Sequence, residues 1–274
     1  MQDIVSLSAS RSGLETMTVE ALQTGSTLFC DFDGPIADVS DRYYSTYTLA
    51  LAATQADYAA QNISLPVRRL TKAQFWRMKQ NRTPDLVIAD WSGLSGQEVN
   101  DFLWHVESLV NQTTLLHQDQ LQPGAKAALT TLQKCGVRVV IVTLRQASQV
   151  LDFLYQHGLA TTIGQIYGAQ DTSTAYPNRV EHKIAQLRDA IADQHRLGFS
   201  TASSWMIGDT EADICAGQAT GLPTLGLSCG IRSTAYLKGF HPTRLTRDLY
   251  AATQFLTACQ SMMSSVDTLR LSAC

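Results

Sequence analysis

Hydrophobic and polar positions fall into two textures along the chain. From Pro123 onward, runs that are apolar throughout alternate with stretches whose apolar residues recur at helical spacing. The run "VRVVIVT" is too continuously apolar to have a solvated face and reads as a buried strand, while "GAKAALTTLQKCG" before it is an amphipathic helix closed by Gly136. The alternation continues through a helix in "SQVLDFLYQHG", a short strand in "IGQIYG", a helix in "VEHKIAQLRDAIADQH" and a strand in "SSWMIGD". A helix in "EADICAGQATG" and a final strand in "PTLGL" follow, ahead of a tail helix around "LYAATQFLTAC". This βαβα rhythm predicts an α/β fold, a Rossmann-like three-layer arrangement in which helices cover both faces of a parallel sheet. The strand at the start of "TLFCDFDGPIADVS" belongs to the same sheet by character.

Between Asp38 and Leu121 the texture changes. "RYYSTYTLALAATQADYAAQ", "TKAQFWRMKQ" and "GQEVNDFLWHVESLVNQTT" all have helical spacing, and strand-like alternation is nearly absent. Thr71 and Gln74 have the spacing of a capping box at one helix start. The pattern predicts an N-terminal extension over residues 1–25, an α/β core over 26–37 and 122–274, and a helical module over 38–121 inserted after the first strand.

Composition narrows the function classes. The chain has 274 residues, is 45% hydrophobic and 16% charged, and carries a formal net charge of -3, which suits a globular protein with a sizeable core. The near-neutral charge gives no footing for nucleic acid. The opening "MQDIVSLSASRSG" lacks the features of a signal peptide, and no run reaches the length of a membrane span, so a cytoplasmic location with no membrane partner is expected. Six cysteines are scattered without metal-ligand spacing, and the histidines are equally dispersed, which predicts free thiols and no zinc site. Oligomeric state leaves no mark in the pattern.

The candidate chemistry lies at strand ends. Asp31 and Asp33 follow the first strand, Thr143 ends "VVIVT", and Asp209 ends "WMIGD" with Asp213 just beyond. In an open parallel sheet, ligands bind in the crevice outside the carboxyl ends of the strands, so these residues are expected at one edge. Converging carboxylates repel one another unless a cation joins them, and an all-oxygen donor set suits Mg2+ completed by a phosphate.

These stretches resemble the motifs of the haloacid dehalogenase-like phosphatase superfamily. "DFDGPIAD" is similar to its first motif, "VVIVT" to its second, Lys183 in "EHKIAQL" to its third and "GDTEAD" to its fourth, in the family's order and with an insert like a C1 helical cap between the first two. The likeness is to the phosphoglycolate phosphatase and β-phosphoglucomutase-like members. It implies that Asp31 is a nucleophile forming an aspartyl phosphate and Asp33 a general acid and base. Thr143 and Lys183 would hold the phosphoryl group, and Asp31, the Asp33 backbone carbonyl, Asp209 and Asp213 would bind magnesium. Gly34 would let the backbone turn sharply under the phosphate. Pro35 and Val39 depart from the family pattern without touching the chemistry, whereas Leu144 and Arg145 fall where the backbone approaches phosphate, and Arg145 is placed to reach a distal anion. "MKQNRTPD" is similar to the specificity loop of β-phosphoglucomutase-like caps, so Lys79 and Arg82 are expected to meet a second negative group on the substrate. The resemblance implies hydrolysis of a small phosphorylated metabolite, such as phosphoglycolate or a sugar phosphate or bisphosphate. Phosphoryl transfer of the phosphoglucomutase type and a catalytically idle domain that binds a phospho-ligand or a protein are the alternatives.

Overall fold

The computed structural model describes residues 22, 24–169 and 179–257. Apart from Leu22, Thr24 and Gly25, the N-terminal extension lies outside the described residues, as do Cys259, Cys274 and the end of the tail helix. The other four cysteines, Cys30, Cys135, Cys215 and Cys229, are free thiols.

Six strands form one parallel sheet in the order β5-β4-β1-β6-β7-β8. They are β1 (Thr27–Cys30), β4 (Arg138–Gln146), β5 (Ile163–Ala169), β6 (Met206–Gly208), β7 (Thr224–Leu227) and β8 (Arg244–Thr246). Side chains alternate across each strand, so one sheet has two apolar faces. Leu28, Cys30, Val139 and Ile141 face a core closed by Leu129 and Leu132 of α6 (Ala125–Lys134), Phe153 and Leu154 of α7 (Ala147–Gln156), and Leu249 and Leu256 of a helix over residues 249–257. Phe29, Val140, Val142 and Met206 face the other way, onto Leu187 and Ala190 of α8 (Val180–Arg196) and Ala216 of α9 (Glu211–Ala219). The three-layer α/β expectation therefore holds.

The insert is helical: α1 (Ser40–Ala59), α2 (Lys72–Gln80), α3 (Asp85–Trp91), α4 (Gln97–Leu109) and α5 (Thr113–Leu116). It builds its own core from Tyr47, Leu51, Phe75, Ile88, Phe102 and Val106. The Thr71 and Gln74 capping box forms at the start of α2. Where the chain crosses into and out of the insert, β2 (Ala37–Asp38) and β3 (Gln120–Leu121) pair antiparallel, a ribbon too short for alternation to reveal.

Two strand expectations need correction. "PTLGL" is not the last strand, because β8 pairs beside it; three part-exposed residues at a sheet edge carry no apolar run. "SSWMIGD" contributes only Met206–Gly208 to the sheet, since the hydroxyls of Ser203 and Ser204 bind Ser26 and the Thr27 carbonyl instead.

Candidate active site

The parallel register brings the strand ends together. The backbone N–H of Asp31 donates to the Ile207 carbonyl at 2.8 Å, which puts Asp31 just beyond β1 and beside Asp209, just beyond β6. Thr143 lies on β4, the neighbour of β1 on its other side. Lys183 comes up from the first turns of α8 and is buried, with its Nζ 2.7 Å from Asp31 Oδ1 and 2.9 Å from Asp213 Oδ1. Asp213 also accepts from the Thr210 backbone N–H at 3.0 Å and hydroxyl at 2.8 Å, so it caps α9 and orients the lysine at once.

Three of these acids are short of positive charge. Carboxylate oxygens of Asp31, Asp209 and Asp213 all lie within 4.8 Å of one another, and all three residues are buried. Burial pushes the Asp31 carboxyl up to about 7; Lys183 pulls it back and Asp213 adds to the rise. Burial, then the charges of Asp31 and Asp213, drive Asp209 well above the usual carboxylate range. The two acids raise Lys183 although burial opposes its charge. One ammonium cannot balance three carboxylates.

Asp209 is held where a cation would bind. Its Oδ2 accepts from the Ile231 N–H at 2.6 Å, whereas its Oδ1 is buried with no hydrogen-bond partner among the described residues. Two glycines make room for it: a Cβ on Gly34 would lie 2.2 Å from its Cγ and one on Gly230 would lie 1.9 Å from its Oδ2. Gly34, at φ +100°, is therefore demanded by Asp209 as much as by the turn itself. An orphaned carboxylate oxygen among hard oxygen donors fits a divalent cation of the magnesium type.

Asp33 sits differently. Its two oxygens each accept from a guanidinium, Oδ1 from Arg145 Nη1 and Oδ2 from Arg42 Nη2, both at 2.9 Å. Burial opposes its charge, but Arg145 and Arg42 hold its carboxyl below the ordinary range, so it is ionised at neutral pH. The same arginines grip Asp119 at 2.7 and 2.8 Å.

Asp31, Asp33, Thr143, Leu144, Arg145, Lys183 and Asp209 line one cavity with Lys79 and Arg82 of the insert. Its volume is about 60 Å³. The insert cations already have acids: Lys79 Nζ meets Asp85 at 2.8 Å, and Arg82 Nε meets Glu211 at 2.9 Å. Arg232 joins them, pairing with Glu211 at 2.8 Å and donating to the Lys79 carbonyl at 3.1 Å. Arg82 reaches its acid from a left-handed backbone, φ 57°, which is uncommon for a residue with a side chain. Arg145 turns onto Asp33 and Asp119 instead of standing free for a distal anion.

Sequence reading missed Arg42, Asp119, Arg232 and Glu211. Glu211 stands inside "GDTEAD" and was legible as part of that motif; the other three carry no local pattern.

A family model described as haloacid dehalogenase-like hydrolase matches residues 28–227. A phosphoglycolate phosphatase of Vibrio cholerae is 28% identical over 47% of this chain and 54% of its own. A pyrophosphatase PpaX of Oceanobacillus iheyensis is 25% identical over 46% of this chain and 56% of its own. The match thus spans about half the length of these relatives. In fold, a haloacid dehalogenase-like family hydrolase from Streptococcus pneumoniae superposes with a TM-score of 0.59 at 18% identity, covering 84% of this chain and 97% of that one.

Proposed function

Because this chain belongs to the haloacid dehalogenase-like hydrolases, we propose that it is a magnesium-dependent phosphatase acting on a small phosphorylated metabolite, with phosphoglycolate and sugar phosphates or bisphosphates as leading substrates. The observation that carries this reading is the pairing of Asp31 with Lys183 beside the orphaned oxygen of Asp209, at the carboxyl edge of a parallel sheet. Asp31, Asp209, Asp213 and the Asp33 carbonyl would hold the magnesium. When bound, the ion supplies positive charge that lets a carboxylate approach a phosphoryl dianion.

The residues divide the work. Asp31 attacks phosphorus; its new O–P bond forms as the bond to the leaving oxygen breaks, and Asp33, after taking up a proton brought into the site by water or by the substrate, passes it to that oxygen. Asp33, again a carboxylate, then takes a proton from the water that attacks the aspartyl phosphate, and the Asp31–phosphorus bond breaks. The guanidiniums that favour its ionised form suit this second half. Lys183 supplies fixed charge to the phosphoryl oxygens and Thr143 a hydroxyl donor. Lys79, Arg82, Leu144 and Arg145 wall the space left for the leaving group. That wall supports a compact metabolite; among the described residues no helix is long and apolar enough to cross a membrane.

Turnover of p-nitrophenyl phosphate with and without Mg2+ tests the proposal, with Asp31→Asn as the control. Magnesium-dependent turnover that vanishes in the variant is expected. A folded protein that hydrolyses no phosphoester in a metabolite panel, including pyrophosphate and phosphoglycolate, overturns it.

A further inference from the structure

Beside the reacting carboxylate lies a closed ring of charge, one member of which, Asp119, has no part in the proposed chemistry. Asp119, just before β3, accepts from Arg42 Nε at 2.8 Å and from Arg145 Nη1 at 2.7 Å. The same Arg145 nitrogen reaches Asp33 Oδ1, and Arg42 Nη2 reaches Asp33 Oδ2. Arg42 Nη1 is also taken, by the Val110 carbonyl at 3.1 Å and Asn111 Oδ1 at 3.4 Å. Arg42, Arg145 and Asp119 are buried at 1%, 3% and 4% exposure, whereas the Asp33 side chain keeps 23% of its surface and lines the cavity. Two guanidiniums and two carboxylates neutralise one another, and only Asp33 faces the substrate space.

We propose that Asp119 is a positioning residue for Asp33: it anchors Arg42 and Arg145 so that the two guanidiniums fix the Asp33 carboxylate in the orientation from which it exchanges protons. The inference rests on the phosphatase reading above. Neither arginine is held in this pose by Asp33 alone. Arg145 shares a single nitrogen between the two acids, and Arg42 is pinned with Nε on Asp119 and Nη2 on Asp33. With Asp119 neutral, two buried cations would converge on one carboxylate and its orientation would follow theirs. The placement has a further consequence. Arg42 follows β2 at the entry to the insert and Asp119 precedes β3 at the exit, while Asp33 and Arg145 belong to the core. Any shift of the insert about that ribbon pulls on the carboxylate.

A purely stabilising ion cluster would behave differently, and the leaving group tells the two apart. The ratio of kcat/KM for phenyl phosphate to that for p-nitrophenyl phosphate reads how far the departing oxygen depends on a proton. Both constants come from one preparation, so the ratio is independent of the fraction that is folded. Asp119→Asn is expected to lower it by roughly tenfold or more, within the range for general acid catalysis. Arg42→Lys, which keeps the charge but loses the fork, should lower it in the same way. In an Asp33→Asn background, Asp119→Asn should lower it no further, because the two act as a unit. Equal losses on both esters in both variants, or a further fall in the Asp33→Asn background, overturn the inference. If wild type hydrolyses neither ester with Mg2+, the phosphatase reading itself fails and takes this inference with it.

Discussion

Metal-free protein should lose stability as pH rises through neutrality, and magnesium should reverse the trend. The cause is Asp31, whose carboxyl is pushed up to about 7 by burial, against Lys183 and with help from Asp213. In the unfolded chain it titrates near 3.8. Between those values the folded protein holds a proton that the unfolded chain has released, so the slope of unfolding free energy against pH is negative. Three pH units at about 1.4 kcal/mol each give a loss of about 4 kcal/mol between pH 4 and 7, complete above pH 7. Asp209, raised by burial and by the charges of Asp31 and Asp213, adds in the same direction. Asp33 and Glu211, held low by their arginines although burial opposes their charge, work in the opposite direction, but their gain is complete once pH has passed the ordinary values of 3.8 and 4.5.

Thermal unfolding in EDTA from pH 4.5 to 8 measures the effect. For a chain of this length, about 4 kcal/mol corresponds to a fall in Tm of roughly 10 °C. Saturating Mg2+ should remove the fall, since at about a thousand times its Kd a ligand restores about 4 kcal/mol. Asp209→Asn removes one repelling carboxylate while leaving an oxygen for the Ile231 N–H, so it should be more stable than wild type at pH 8 in EDTA and blind to Mg2+. A metal-free Tm that is flat or rises across pH 5 to 7, or an Asp209→Asn protein that still responds to Mg2+, would refute the charge argument.

Other substitutions probe the remaining contacts. Lys183→Met takes the ammonium from between Asp31 and Asp213 and should cut kcat/KM by roughly 100-fold or more, the scale for losing one fixed electrostatic group, as steady-state assays will show. Gly230→Ala places a Cβ 1.9 Å from Asp209 Oδ2 and should abolish the Mg2+-dependent rise in Tm while far-UV circular dichroism stays native. Arg82→Ala removes a part-exposed partner of Glu211 and should raise KM for anionic substrates with stability changed by less than about 1 kcal/mol. Lys79→Ala breaks a buried pair with Asp85 and should also raise KM, at a cost of about 3 kcal/mol or more in denaturant unfolding; an unchanged KM for every anionic substrate in both variants removes Lys79 and Arg82 from the binding wall.

The parts of this fold that were legible in sequence are those whose meaning is local. β1, β4 and β7 are buried along almost their whole length, so their residues form apolar runs that a helix or loop would not need. Asp31 and Asp209 follow directly on β1 and β6 and could be read from position, whereas Thr143 lies within β4, which runs on to Gln146 instead of ending at the threonine. β8 and the β2–β3 ribbon were invisible because an edge strand and a two-residue ladder need no apolar run.

The charged ring was hidden for another reason. An arginine pairs through the far end of a long side chain, and its neighbours in sequence place only its Cα. Arg42 meets an acid 77 residues away, and Arg145 meets one 112 residues away. Position alone also said nothing of what these cations face: Arg145, Lys79 and Arg82 stand beside the cavity, and each is turned to an acid that no spacing announced. The outcome is a site with its charge divided. On the insert side cations and acids balance, while beside Asp209 three carboxylates share one lysine. The excess negative charge lies where Asp209 Oδ1 has no partner among the described residues, so under the proposed function a dianionic phosphate would have reason to enter only after a cation had bound there.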